Sequence, residues 1–205
     1  MNKGLLILIS APSGAGKTSL VNELILRDNR LVKSVSHTTR MKRFGEEEER
    51  DYFFTTETSF NQMVAENEFI EHARVFGNFY GTSKSSVEEN LDYGFDVILE
   101  IDWQGAKQVQ SIEPDAISIF IVPPTHQELE IRLKKRGKDS DQTISNRLAH
   151  ATSDMKKAKN YDYIVINKSF EIAVNNLLSI IGAERLKTRR QLEQNENLAL
   201  LLSLK

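Results

Sequence analysis

Residues 10–18, SAPSGAGKT, set two glycines, a lysine and a threonine directly after an apolar run, LLILI at 5–9. That combination suits a phosphate. Gly14 and Gly16 can take backbone angles closed to other residues, so that successive N–H groups converge on an anion. Lys17 can reach the β and γ phosphates of a nucleotide, and the Thr18 hydroxyl can ligate Mg²⁺. Ala11, Pro12, Ser13, Gly14, Ala15, Gly16, Lys17 and Thr18 form the candidate cradle. The strict GxxxxGK[ST] pattern fails at one place, because Ala11 stands at its first glycine; this is tolerable if Ala11 has ordinary backbone angles. A strand-to-helix turn with a solvated lysine is the plain alternative.

A second cluster lies at 36–54, SHTTRMKRFGEEEERDYFF. Charge runs are usually solvated loops. Here, however, Arg40 and Arg43 sit beside the hydroxyls of Ser36, Thr38 and Thr39, with Tyr52 following. Guanidinium forks with hydroxyls are suited to a second phosphate, apart from the one at Lys17. Glu100 lies in another apolar run, 97–101, which ends at Asp102. Acids at the carboxyl end of such a strand face the ligand crevice of an open α/β sheet. The alternative is that Asp102 caps a helix starting near Trp103, and it stays open. Arg132, Arg136 and Arg147 fall on a helix-loop-helix that could close over a triphosphate, although surface arginines on helices are usually structural. His37, His72, His126 and His150 show no ligand spacing, so a histidine metal site is not expected.

The elements that must position these residues follow from periodicity. The continuous apolar run at 5–9 reads as a strand covered on both faces. Leu20, Val21, Leu24 and Ile25 then keep the helical period, up to Asp28 and Asn29. A short β run covers 31–36, and Thr58 or Ser59 caps a helix bearing Phe60, Met63 and Val64. Residues 69–82 alternate as a small sheet with a turn at Gly77-Asn78, and a helix at 83–93 stops at Gly94. A strand at 116–122 is closed by Pro123-Pro124, and Thr125, with Glu128 at capping-box spacing, opens a helix to 136 with Gly137 as its stop. A strand at 163–166 ends in Asn167, and a long helix runs from Phe170. Buried strands alternating with helices specify an open parallel sheet of βαβ units.

Composition limits the partners. With 27 Lys+Arg against 29 Asp+Glu in 205 residues, the net charge of −2 gives no basic field for nucleic acid. The absence of cysteine excludes a disulfide framework and thiolate metal sites and fits a reducing compartment. No apolar stretch approaches the ~20 residues that span a bilayer, and the first run is too short for a secretory leader. A soluble, cytoplasmic protein is expected. The leucine-rich end, 198–204, can pack on the core or mediate self-association into a homo-oligomer.

Taken together, SAPSGAGKT, SHTTRxxRxGE with DYxF, NEFIEHA, GNFYGT, LEIDWQG and a VPP segment occur in an order that resembles the guanylate kinase family, from Leu5 to about Ile181. The resemblance implies an α/β fold of the P-loop NTPase type: an open parallel sheet flanked by helices, a small GMP-binding α+β lobe and a helical lid. It implies a single domain with its core at about 1–35, 83–131 and 160–190, the lobe at about 36–82, the lid at about 132–158 and a helical tail at about 191–205. The implied reaction is ATP-dependent phosphorylation of GMP and dGMP, with Mg²⁺ accompanying ATP. By the same resemblance, Ser36, Arg40, Arg43, Tyr52 and Tyr80 hold the GMP phosphate, and Glu71, Gly81, Thr82 and Asp102 surround base and ribose. Lys17, Arg40, Arg43, Arg132, Arg136 and Arg147 neutralise charge during transfer, Asn167 lies near the ATP base, and Glu100 reaches the metal through water. Glu49 departs from the pattern, standing where relatives often have glycine; if that position requires positive φ, glutamate strains the turn. The alternatives are an inactive guanylate-kinase-like binding module and a P-loop kinase for another small acceptor.

Overall fold

The computed structural model describes residues 3–135 and 141–203. The first strand, β1 (Leu6–Ser10), is buried at every position and leads through the glycine-rich turn into α1 (Lys17–Arg27). Then come β2 (Leu31–Lys33), β3 (His37–Thr38), β4 (Phe53–Phe54), α2 (Glu57–Ala65), β5 (Phe69–Val75), β6 (Asn78–Ser83) and α3 (Lys84–Asp92). The chain continues through β7 (Asp96–Glu100), α4 (Trp103–Ile112), β8 (Ile117–Val122), α5 (His126–Lys135), α6 (Asp141–Met155) and a 3₁₀ turn (Lys156–Asn160). It ends with β9 (Tyr163–Ile166), α7 (Phe170–Arg185), α8 (Thr188–Gln194) and α9 (Glu196–Ser203).

Five strands form one parallel sheet in the order β2-β7-β1-β8-β9. Its centre is β1, which explains the uninterrupted apolar run: alternate residues enter different layers. Ile7 and Ile9 pack with Leu20 and Leu24 of α1 and Val174, Leu177 and Ile181 of α7. Leu6 and Leu8 pack on the opposite face with Val87 and Leu91 of α3 and Val109 of α4. Both faces are thus covered, as a parallel sheet requires.

A second sheet, β4-β3-β6-β5, rises from the chain between β2 and α3. Its β5–β6 hairpin is antiparallel, and the register shifts between Phe69 and Glu71. That irregularity lets Ile70 enter the main core while Glu71 is also buried.

Several boundaries differ from the sequence expectations. The cap of α2 is Thr56, whose Oγ1 accepts from the Ser59 N–H at 3.1 Å, rather than Thr58 or Ser59. The hairpin turns on Phe76-Gly77, with φ of 48° and 84°, one residue before the expected pair; Asn78 is already paired with Val75. Thr125 does cap α5 through the Glu128 N–H, at 3.0 Å, while the Glu128 carboxylate bonds Arg132 instead of returning to the cap. Gly137, expected to stop that helix, lies outside the described residues. The leucine-rich end forms α9, and its Leu200, Leu201 and Leu202 are 64–65% exposed, so these three do not pack on the core. Among the described residues, no helix is long and apolar enough to cross a membrane.

Candidate active site

The turn between β1 and α1 is built around its glycines. Gly14 and Gly16 have φ of 91° and 92°, in the left-handed region that other residues avoid. At Gly14 a Cβ would also press on Leu129 and Leu133 of α5, each 3.0 Å away. Ala11 is not among the described non-glycine residues with positive φ, so its methyl is no obstacle there. Asn167 Nδ2 donates to the Ala15 carbonyl at 2.8 Å. Its side chain, 6% exposed, therefore braces the loop from behind.

From this loop two side chains point to the carboxyl end of β7. Lys17 Nζ donates to the Ile101 carbonyl at 3.1 Å, and the Thr18 hydroxyl donates to Glu100 Oε1. Burial pushes the Lys17 ammonium below the usual lysine range, opposed by the charges of Glu100, Asp102 and Glu71. An anion arriving here would stabilise the charged form.

The second sheet supplies the other wall. Glu71 of β5 is 4% exposed, and its Oε1 accepts from Thr82 Oγ1 of β6 at 2.6 Å. Ser36 Oγ lies 3.3 Å from the same hydroxyl. Burial raises the Glu71 carboxyl to about 7; the Thr82 hydrogen bond opposes this, and Asp102 adds to it. Arg40 lies over the Tyr52 ring, 5.3 Å from its centre, and Tyr52 meets Tyr80 edge-on at 5.9 Å. Glu46 grips both arginine positions: Oε1 accepts from Arg40 Nη2 at 2.7 Å and Oε2 from the Arg43 N–H at 2.8 Å. Burial would raise the Glu46 carboxyl, but these partners more than offset it and hold it below the usual range.

Three adjoining cavities, of about 550, 160 and 690 Å³, share Tyr52 and Glu100. The first is lined by Ala11 to Gly14, Gly16, Lys17 and Thr18, the second by Ser36, Glu71 and Tyr80, the third by Arg40 and Arg43. Arg147 of α6 lines the first and third. Arg132 lines none of them: its Nε bonds Glu128 at 2.8 Å and its Nη2 the Asn167 carbonyl at 3.0 Å. Arg136 lies outside the described residues. Gly81 is turned toward the aromatic packing of the sheet, where a Cβ would meet Phe69 at 2.9 Å. Asp102 lines the first two cavities while its Oδ1 accepts from the Gln104 and Gly105 N–H groups at 2.9 and 3.0 Å, so the capping reading of this acid describes its hydrogen bonds.

Sequence reasoning missed the Glu46 brace, hidden inside a run of four acids, although its three-residue distance from Arg43 was available as a signal. It also missed Trp103, His150 and Asp154 along the first cavity. Their order in the chain carries no signal of this meeting, which depends on α6 reaching across the cleft, where His150 meets Phe76 of the hairpin tip at 5.4 Å.

Comparison with known proteins gives a consistent result. The family model described as guanylate kinase matches residues 3–184. The guanylate kinase of Hydrogenovibrio crunogenus is 53% identical over 94% of each chain, and that of Escherichia coli K12 is 46% identical over 97% of each. A crystal structure of guanylate kinase from Anaplasma phagocytophilum superposes with a TM-score of 0.78 at 35% identity, covering 92% of this chain and 90% of that one.

Proposed function

This chain belongs to the guanylate kinase family and transfers phosphate from ATP to GMP, and within that reaction we propose a division of labour among its residues. The 11–18 loop and Lys17 hold the ATP phosphates. Ser36, Arg40, Arg43, Tyr52 and Tyr80 hold the GMP phosphate, and Glu71 with Thr82 reads the base. The observation that supports this most directly is the convergence of three cavities on Tyr52 and Glu100, which brings a phosphate at Lys17 and one at Arg40 and Arg43 to a common wall. An inactive binding module is not favoured, since relatives about half identical over nearly the whole chain are named guanylate kinase.

Guanine offers N–H donors at N1 and N2 beside the O6 acceptor. The Glu71 carboxylate accepts both donors, and the Thr82 hydroxyl, which donates to Glu71 in the structure, is released to O6. Adenine would set its N1 lone pair against the carboxylate, leaving buried polar groups unpaired.

Transfer itself needs no general base. A GMP phosphate oxygen is already anionic; it bonds to the γ-phosphorus of ATP as the bond to the β–γ bridging oxygen breaks and ADP leaves. The protein aligns the two phosphates and offsets their charge through Lys17, Arg40, Arg43 and Arg147. The residues present also fit Mg²⁺. Thr18 and Glu100 face one another and offer a hydroxyl and a carboxylate, the hard oxygen donors that Mg²⁺ takes. Thr18 would hold the ion directly and Glu100 through water, as suits a hard cation that keeps waters and phosphate oxygens among its ligands. When bound, Mg²⁺ supplies charge neutralisation at the phosphates.

Lys17→Met tests the separation of the two phosphate sites. Turnover should fall at least about 100-fold, the scale of removing one preorganised electrostatic partner, while calorimetry shows GMP still binding. Retained turnover, or GMP binding lost in parallel, would contradict the assignment of Lys17 to the ATP side.

A further inference from the structure

We propose that Gly105 and Gln108 of α4 set the position of the Glu71 carboxylate, and so act as specificity-determining positioning residues for the guanine base. The inference rests on the reading of Glu71 as the base reader.

Two independent contacts carry it. One oxygen of Glu71 is fixed by Thr82; the other lies against Gly105. A Cβ at 105 would overlap Oε2 and stand 3.0 Å from the carboxyl carbon. The obstacle is the end of a side chain rather than backbone. An added methyl would therefore displace the carboxylate and leave the fold in place.

The second contact fixes the backbone on the adjoining residue. β5 is an edge strand, so one side of it lacks a neighbouring strand. At His72 that lack is met by Gln108, whose Oε1 accepts from the backbone N–H at 3.1 Å and whose Nε2 donates to the carbonyl at 2.8 Å. The side-chain amide acts as one further rung of the sheet. Gly105 and Gln108 are three residues apart and share a helix face. Asp102 anchors that face by accepting the Gly105 N–H. The first turns of α4, which start where β7 ends, thus gauge both the carboxylate and the strand that bears it.

The test compares kcat/KM for GMP and AMP, KM for ATP and the melting temperature in the wild type, Gly105→Ala, Gln108→Leu, Glu71→Gln, Glu71→Asp and the double variant Gly105→Ala/Glu71→Asp. Loss of one hydrogen bond to a charged group is roughly a ten-fold effect or more. Gly105→Ala and Gln108→Leu should each reduce the GMP/AMP ratio by about that factor through KM for GMP, with KM for ATP unchanged; Gln108→Leu, which removes two hydrogen bonds to β5, should also lower the melting temperature, whereas Gly105→Ala should not. Shortening the acid makes room for the methyl, so Gly105→Ala should cost little in the Glu71→Asp background. Equal losses in both backgrounds, or an unchanged ratio in Gly105→Ala, would overturn the proposal while Glu71→Gln still loses selectivity. An unchanged ratio in Glu71→Gln would overturn the base reading and the proposal with it.

Discussion

Glu71 has a pKa pushed up to about 7 because burial disfavours its charge more than the Thr82 hydrogen bond favours it. Its proton is therefore exchanged near neutrality, and the two states differ in what they can bind. On the proposed reading the ionised carboxylate would accept from guanine, whereas the protonated form would present an O–H against donors. Since the folded-state pKa is raised, ionisation costs stability: the cost is absent below the unfolded carboxyl range and complete above about 7. For activity the direction is opposite, and kcat/KM for GMP should fall as pH drops through about 7. The GMP phosphate titrates near ~6 and contributes to every profile. The informative quantity is the difference from Glu71→Gln, in which the component near 7 should vanish; superimposable profiles would contradict it. At this scale the sequence was informative about chemistry and weak on partners. Lys17, Arg40, Arg43 and Glu71 could be selected by type and motif, whereas the Glu46 brace had only its three-residue distance from Arg43 to signal it, and its pairing with Arg40 is made only in the folded loop. Glu49 does adopt positive φ, 63°, so the expected strain is present, with its N–H bonded to the Tyr52 carbonyl at 3.0 Å.

Among elements, the parallel strands were legible because burial on both faces leaves an unbroken apolar signature, as at 5–9 and, up to Glu100, at 97–99. Shorter elements were not, since two-residue strands such as β3 and β4 have no period to read. Nor was the shift at Phe69/Glu71, which places neighbouring residues of one strand in different environments. Long-range ion pairs were also invisible. Arg185, at the end of α7, donates from Nε to Asp96 Oδ2 and from Nη1 to Asp28 Oδ2, both at 2.6 Å, while Asp96 Oδ1 accepts the Leu5 N–H at 2.6 Å. This ties α7 and the end of α1 to the start of β7. Asp96 is 1% exposed, so removing its cation leaves a buried charge poorly compensated. Arg185→Met should lower stability by about 3–5 kcal/mol in urea denaturation; a loss below about 1 kcal/mol would show that the network contributes little.

For the whole molecule, the arrangement is two sheets meeting at one cleft. The parallel sheet brings the glycine-rich turn to the end of β7, and the smaller sheet brings a hydroxyl, two arginines and a buried acid to the same place. On the proposed division of labour neither half specifies the acceptor alone: the loop would hold phosphate of any nucleotide, and the Glu71–Thr82 pair would distinguish the base. The central claim is therefore selectivity of the intact protein. It is tested most directly by ADP release from ATP and Mg²⁺ with GMP, AMP, CMP and UMP in turn. GMP should be preferred at least about 1,000-fold in kcat/KM, as expected where a site's buried polar groups must all be paired. Comparable rates with AMP, or ADP release independent of any acceptor, would contradict the account.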